Sequence, residues 1–176
     1  LRVWGPEDRL PEGARNAVAE RLPFDDDDEV AMFYTVATNW LNWIKINSAD
    51  WNAVAELPRP RLILEHILQI DESYDAGNAH LYLGIIDALL PAAMGGKPER
   101  AKQHFERAIE ISAGKNLMAK VIYAESYAKP LFKRELYNRL LTEVTRAENQ
   151  ATDLTLMNTI AQQQALQLLS EEADYF

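Results

Sequence analysis

The sequence predicts an all-α chain built from helical hairpins, on three observations. Apolar residues recur three and four apart through most of the chain, the period of an amphipathic helix. The 7 glycines and 8 prolines fall mostly at plausible helix ends, whereas a chain of short strands would scatter such residues through its turns. Similar helix-ending segments also return a few tens of residues apart, the mark of a stacked array. Together these predict about seven or eight helices and no strand.

At 176 residues with 48% hydrophobic content, the chain is long enough to bury a substantial core. The formal net charge is −9, from 27 acidic and 18 basic residues. Without a basic stripe, this balance argues against nucleic acid as a partner and against an anionic membrane surface. There are no cysteines, which removes disulfides, thiolate chemistry and Cys-based metal sites. No apolar run is long enough to span a bilayer. The chain starts at Leu1 rather than Met, so a segment upstream is expected.

Residues 1–27 read as irregular chain with a short amphipathic helix over Pro6 to Leu22, ended by Pro23 and the acidic run Asp25–Glu29. The first hairpin spans 28–71. Its first helix runs from about Asp28 to Ile46, where carboxylates suit the positive end of the helix dipole. Phe33, Val36, Trp40, Trp43 and Ile44 mark its core face. Trp51 falls in the following connection, where partial exposure is expected.

A second hairpin is expected over 75–112 and a third over 115–148. The three second helices end in comparable tails: Ile67–Asp71, Ala108–Ser112 and Val144–Glu148. The tails are offset by 41 and then 36 residues, near the tetratricopeptide period of about 34. The fold class is therefore all-α, with tetratricopeptide-like hairpins in a right-handed α-solenoid and a capping helix at 153–172. The whole of 1–176 is read as a single helical-repeat domain.

The middle hairpin carries the repeat-packing residues. Leu83 and Gly84 are an apolar and small pair suited to a close helix crossing, opposed by Ala101, Phe105 and Ala108. Gly95-Gly96 is expected to end its first helix, and Pro98 to open the second. A further helix is expected between Ala119 and Lys129, stopped by Pro130. In the capping helix, Leu154, Met157, Ala161, Ala165 and Leu168 are expected to face inward, with Gln162, Gln163 and Gln164 facing solvent or a neighbouring chain.

Catalytic and metal chemistry find little support. His66, His80 and His104 lack the spacing of a metal-ligand motif and read as surface or packing residues. The Asp25–Asp28 run lacks the interleaved pattern of a calcium loop. Gly95-Gly96-Lys97 would belong to a phosphate loop only with Gly at 91 and Ser or Thr at 98, and both positions are Pro. Glu125-Ser126 resembles the acid-bearing pair of lytic transglycosylases, but the chain continues Tyr127-Ala128-Lys129-Pro130 without their glycine-containing stretch. No catalytic residue, cofactor or metal ligand is therefore assigned. The candidate partner or ligand face is aromatic: Trp40, Trp43, Trp51, Tyr82, Tyr123 and Tyr127.

From Tyr74 to Phe176 the sequence resembles a known family. The resemblance is carried by Tyr74–Gly84, by Gly95–Ala101, by His104–Leu117, by Leu140–Val144 and by Leu156–Ala165 with Leu168-Leu169. Trp40 to Ile70 resembles it more weakly. The family is the T-component of tripartite ATP-independent periplasmic (TRAP) transporters, a tetratricopeptide-containing accessory lipoprotein. The resemblance implies a non-catalytic accessory or scaffold protein that docks a periplasmic solute-binding protein, and a homo-oligomer, with a trimer known in the family. It further implies a periplasmic location and a tether through a lipidated cysteine upstream of Leu1. The alternatives are a helical-repeat subunit of another envelope complex and a wall-cleaving enzyme using Glu125.

Overall fold

The computed structural model describes residues 27–176, and the described residues are helical without a strand. The amphipathic helix expected over Pro6 to Leu22 and the side chains of the acidic run before Glu29 lie outside the described residues. Seven helices follow: α1 Asp27–Ile46, α2 Pro58–Ile70, α3 Tyr74–Ala88, α4 Pro98–Ile111, α5 Leu117–Tyr123, α6 Arg134–Arg146 and α7 Thr155–Ser170. Single helical turns lie at Trp51–Val54, Ala92–Met94 and Glu172–Asp174. The chain divides into two compact units, Leu1–Tyr74 and Asp75–Phe176, at the junction between the expected first and second hairpins.

In the first unit α1 packs on α2. Val30, Phe33, Ala37, Trp40, Leu41 and Ile44 are buried on α1, and Ile63, Leu64 and Ile67 on α2, each set at the three-and-four spacing that makes one apolar stripe. Between them Asp50 accepts from the Asn52 N–H at 2.9 Å and starts the turn Trp51–Val54. Proline opens α2, where its missing N–H costs no intrahelical bond.

The second unit begins with a left-handed turn. Asp75, Ala76 and Gly77 have φ of 49°, 55° and 79°, ahead of the regular part of α3. For the two non-glycine residues this conformation costs about 1–2 kcal/mol each. Within α3, Gly84 faces the Phe105 ring so closely that an added Cβ would lie 2.8 Å from Phe105 Cε1. Leu83, Ala101, Phe105 and Ala108 are buried around this crossing.

α3 ends at Ala88, earlier than Gly95-Gly96. Pro91 has no N–H to continue a helix and biases Leu90 toward extended backbone. The connection instead closes on itself: Met94 and Gly96 both donate to the Pro91 carbonyl, at 2.8 and 3.1 Å. A Cβ on Gly96 would fall 1.7 Å from the Leu90 carbonyl oxygen, so only glycine fits there. Pro98 then opens α4.

α5 continues into a wider π-helical turn at Ala124–Ala128. Lys129 and Lys133 donate five residues back, to Ala124 and Ala128, at 2.9 and 2.8 Å. Pro130, which has no donor, lies between them. α6 buries Tyr137, Leu140, Leu141 and Val144. α7 buries Asn158, Ala161, Ala165 and Leu168, while Met157 is 43% exposed. The inward position of its first turns is thus a polar residue that pairs with backbone, where the apolar pattern placed Met157. Two of the three glutamines also bond within the chain: Gln162 donates to the Val144 and Ala147 carbonyls, and Gln164 to Glu125.

Candidate functional site

The six aromatic residues expected to share a face do not share one environment. Trp40 and Trp43 are 4% and 6% exposed on α1, and the Arg59 guanidinium lies 5.9 Å from a Trp40 ring centroid. Trp51 is 62% exposed at the start of its helical turn. These three belong to the first unit and the three tyrosines to the second. Tyr82 is half-buried, and burial, followed by the Asp75 charge, raises its hydroxyl above the ordinary tyrosine range.

Tyr123 and Tyr127 are buried. Tyr123 stacks on Phe105 with ring centroids 5.0 Å apart and meets Tyr127 at 5.3 Å. Burial first, then Glu106, holds the Tyr123 hydroxyl far above its ordinary value. Lys133 donates to the Tyr127 hydroxyl at 2.9 Å. Trp40, Trp43, Tyr123 and Tyr127 therefore belong to core packing, because their rings are withdrawn from solvent. The accessible part of the candidate face narrows to Trp51 and part of Tyr82.

A cavity of about 280 Å³ lies within the second unit, lined chiefly by Leu89, Leu90, Pro91, Pro98, Tyr127 and Leu131. Of the six aromatics, Tyr127 alone lines it. The loop after α3 and the turn after α5 supply its walls, some 40 residues apart, which no local spacing could have shown. Beside it, Phe132 is 77% exposed and holds φ at 53°.

The structure also assembles a polar cluster on α3 and α4. His80 and His104 approach Nδ1 to Nδ1 at 2.8 Å. The other ring nitrogen of His104 lies 3.9 Å from Asp87 Oδ2, and Arg100 Nε lies 3.3 Å from that same oxygen. His80 and Asp87 are 8% and 2% exposed. Reading the histidines singly missed this pairing, since 24 residues separate them. The only local signal was Arg100 and His104 one helical turn apart.

Among the described residues no three of His, Asp and Glu converge on a point that could hold a metal ion. Glu125 accepts from Gln164 at 2.8 Å, a structural contact for the residue considered as a transglycosylase acid. No described helix is long and apolar enough to cross a membrane. Among the described residues the arrangement is thus a helical body with one exposed tryptophan, a small apolar cavity and a histidine pair in which His80 is buried and His104 half-buried.

A family model described as TRAP transporter T-component matches residues 4–176. No curated protein matches the chain.

Proposed function

Because the chain belongs to the T-component family of TRAP transporters, an accessory part of that transporter, we propose that it is a non-catalytic docking protein for the solute-binding component. The family match over nearly the whole chain carries this reading. Its place of action is the periplasm, where a solute-binding component would meet it. In this reading the helices act as tetratricopeptide-like hairpins that present a partner surface, and copies of the chain assemble into a homo-oligomer.

Trp51 is the residue assigned to that surface. A large aromatic side chain that is 62% exposed gains little from its own fold, whereas burying it against a partner yields a few kcal/mol.

The test is photo-crosslinking in cells from position 51, with position 163, exposed on α7, as the control. A solute-binding protein captured from position 51 and not from 163 supports the assignment. Capture from 163 alone moves the docking surface to the second unit, and capture of no transporter component from either position contradicts it.

A further inference from the structure

We infer that the outward stripe of α7 is a self-docking surface, on which a second copy of this chain lays its own α7 antiparallel about a two-fold axis at Gln163. The inference rests on the homo-oligomer proposed above and names its contact surface. Among the described residues α7 packs on α5 and α6, with Asn158, Ala161, Ala165 and Leu168 on its inner face. The helical period puts Leu156, Ile160, Gln163 and Gln167 on the opposite stripe, with Leu166 beside it. Leu156 is 73% exposed, Leu166 60% and Ile160 42%. Apolar side chains thus stand where the terminal helix of a stacked array ordinarily shows a polar outer face.

Charge decides what can cover this stripe. The chain carries a formal net charge of −9, so two copies repel over most of their surface. Among the seven described helices, α7 alone has no Asp, Glu, Lys or Arg. Two copies can therefore meet there without burying a charge or opposing like charges. A basic partner, the kind that the net charge attracts, finds no carboxylate on α7 to pair with.

The residue order along α7 fits a two-fold contact. An antiparallel pair centred on Gln163 sets Ile160 against Leu166 of the other copy, and Leu156 against Ser170. Each such contact occurs twice, as an isologous interface requires. At the axis the two Gln163 amides meet, and each carries both donors and an acceptor, so one can bond the other. The antiparallel arrangement also brings opposite ends of the two helix dipoles together. With 16 residues, α7 is about 24 Å long. A single-helix contact of that length is smaller than a standard interface, which makes the pair weak and concentration-dependent.

The experiment is sedimentation equilibrium of the full chain between about 5 and 500 μM, the range of a weak pair. The wild-type mass is expected to move from one chain toward two. Leu166→Glu sets a carboxylate against Ile160 of the other copy and should raise the dissociation constant at least about tenfold. Leu166 is 60% exposed in the single chain, so this variant should keep the wild-type circular dichroism. The chain has no cysteine, so Gln163→Cys carries a single thiol. Mild oxidation should join two copies through it, and should not join copies of Gln103→Cys, a position exposed on α4. An oligomer of three chains, or one whose affinity is unchanged by Leu166→Glu, overturns the α7 pair while the homo-oligomer stands. A wild type that stays monomeric to about 500 μM overturns both and leaves the stripe to a different partner.

Discussion

Leu117 donates its backbone N–H to the Asn158 side-chain oxygen at 3.0 Å, tying the first residue of α5 to the buried face of α7. The amide nitrogen of the same asparagine donates to the Lys115 and Asn149 carbonyls at 2.9 and 3.2 Å. One buried side chain thus satisfies a helix N-terminus and two loop carbonyls. These bonds join the turn after α4, the connection after α6, and α7.

Asn158→Leu should destabilise the second unit by about 3 kcal/mol, because each buried backbone group left without a partner costs about 1–3 kcal/mol and part of that is relieved by relaxation. Urea unfolding measures this. A cost below about 0.5 kcal/mol, the range of ordinary surface substitutions, would show that water replaces the side chain.

Gly84→Ala is expected to destabilise even though alanine is the better helix former by about 1 kcal/mol. The new methyl would meet the Phe105 ring at 2.8 Å, and overpacking of this kind costs about 1–3 kcal/mol. Phe105→Leu should cost less in the Gly84→Ala background than in the wild type, giving a favourable coupling in a double-mutant cycle. Additive effects would show that the two residues do not press on one another.

Acid should release the C-terminal segment. Glu172 accepts from Arg134 and Asn138, and these bonds, Arg134 first, hold its carboxyl below the ordinary range. Gln167 and then Tyr175 do the same for Glu171. Carboxyls depressed in the folded state stabilise it fully above their unfolded values and lose that contribution as pH falls through their folded values. Below about pH 4.5 the Tyr175 ring, whose centroid lies 3.1 Å from the Lys129 ammonium nitrogen, should gain mobility in NMR relaxation. Glu172→Gln should abolish the Glu172 part of the response.

Much of the helix pattern was legible in the sequence because it is local. Ala101, Phe105 and Ala108 recur at a spacing that names a single face of α4, and that face is buried. The π-helical turn was hidden because its hydrogen bonds shift register without changing composition. Met157 was read as inward from apolar character alone. Asn158 takes that place through three backbone partners, of which Lys115 and Leu117 are 43 and 41 residues away in sequence. The candidate site was less legible. An aromatic stripe looks alike whether it faces a ligand or a core, and only the tertiary structure separated buried Tyr123 from exposed Trp51.

Trp51→Ala should leave stability within about 0.5 kcal/mol of wild type, as for other exposed side chains. If Trp51 anchors the partner, the same substitution should weaken association at least about tenfold. A large loss of stability with unchanged association would assign Trp51 to the fold instead.

The most direct measurement is native co-purification in mild detergent with this protein as bait, followed by mass spectrometry, for the wild type and Trp51→Ala in parallel. A solute-binding protein recovered in near-stoichiometric amount with the wild type, and depleted with Trp51→Ala, is the expected result. Recovery of an unrelated membrane complex, with no solute-binding protein from either bait, would contradict the docking role.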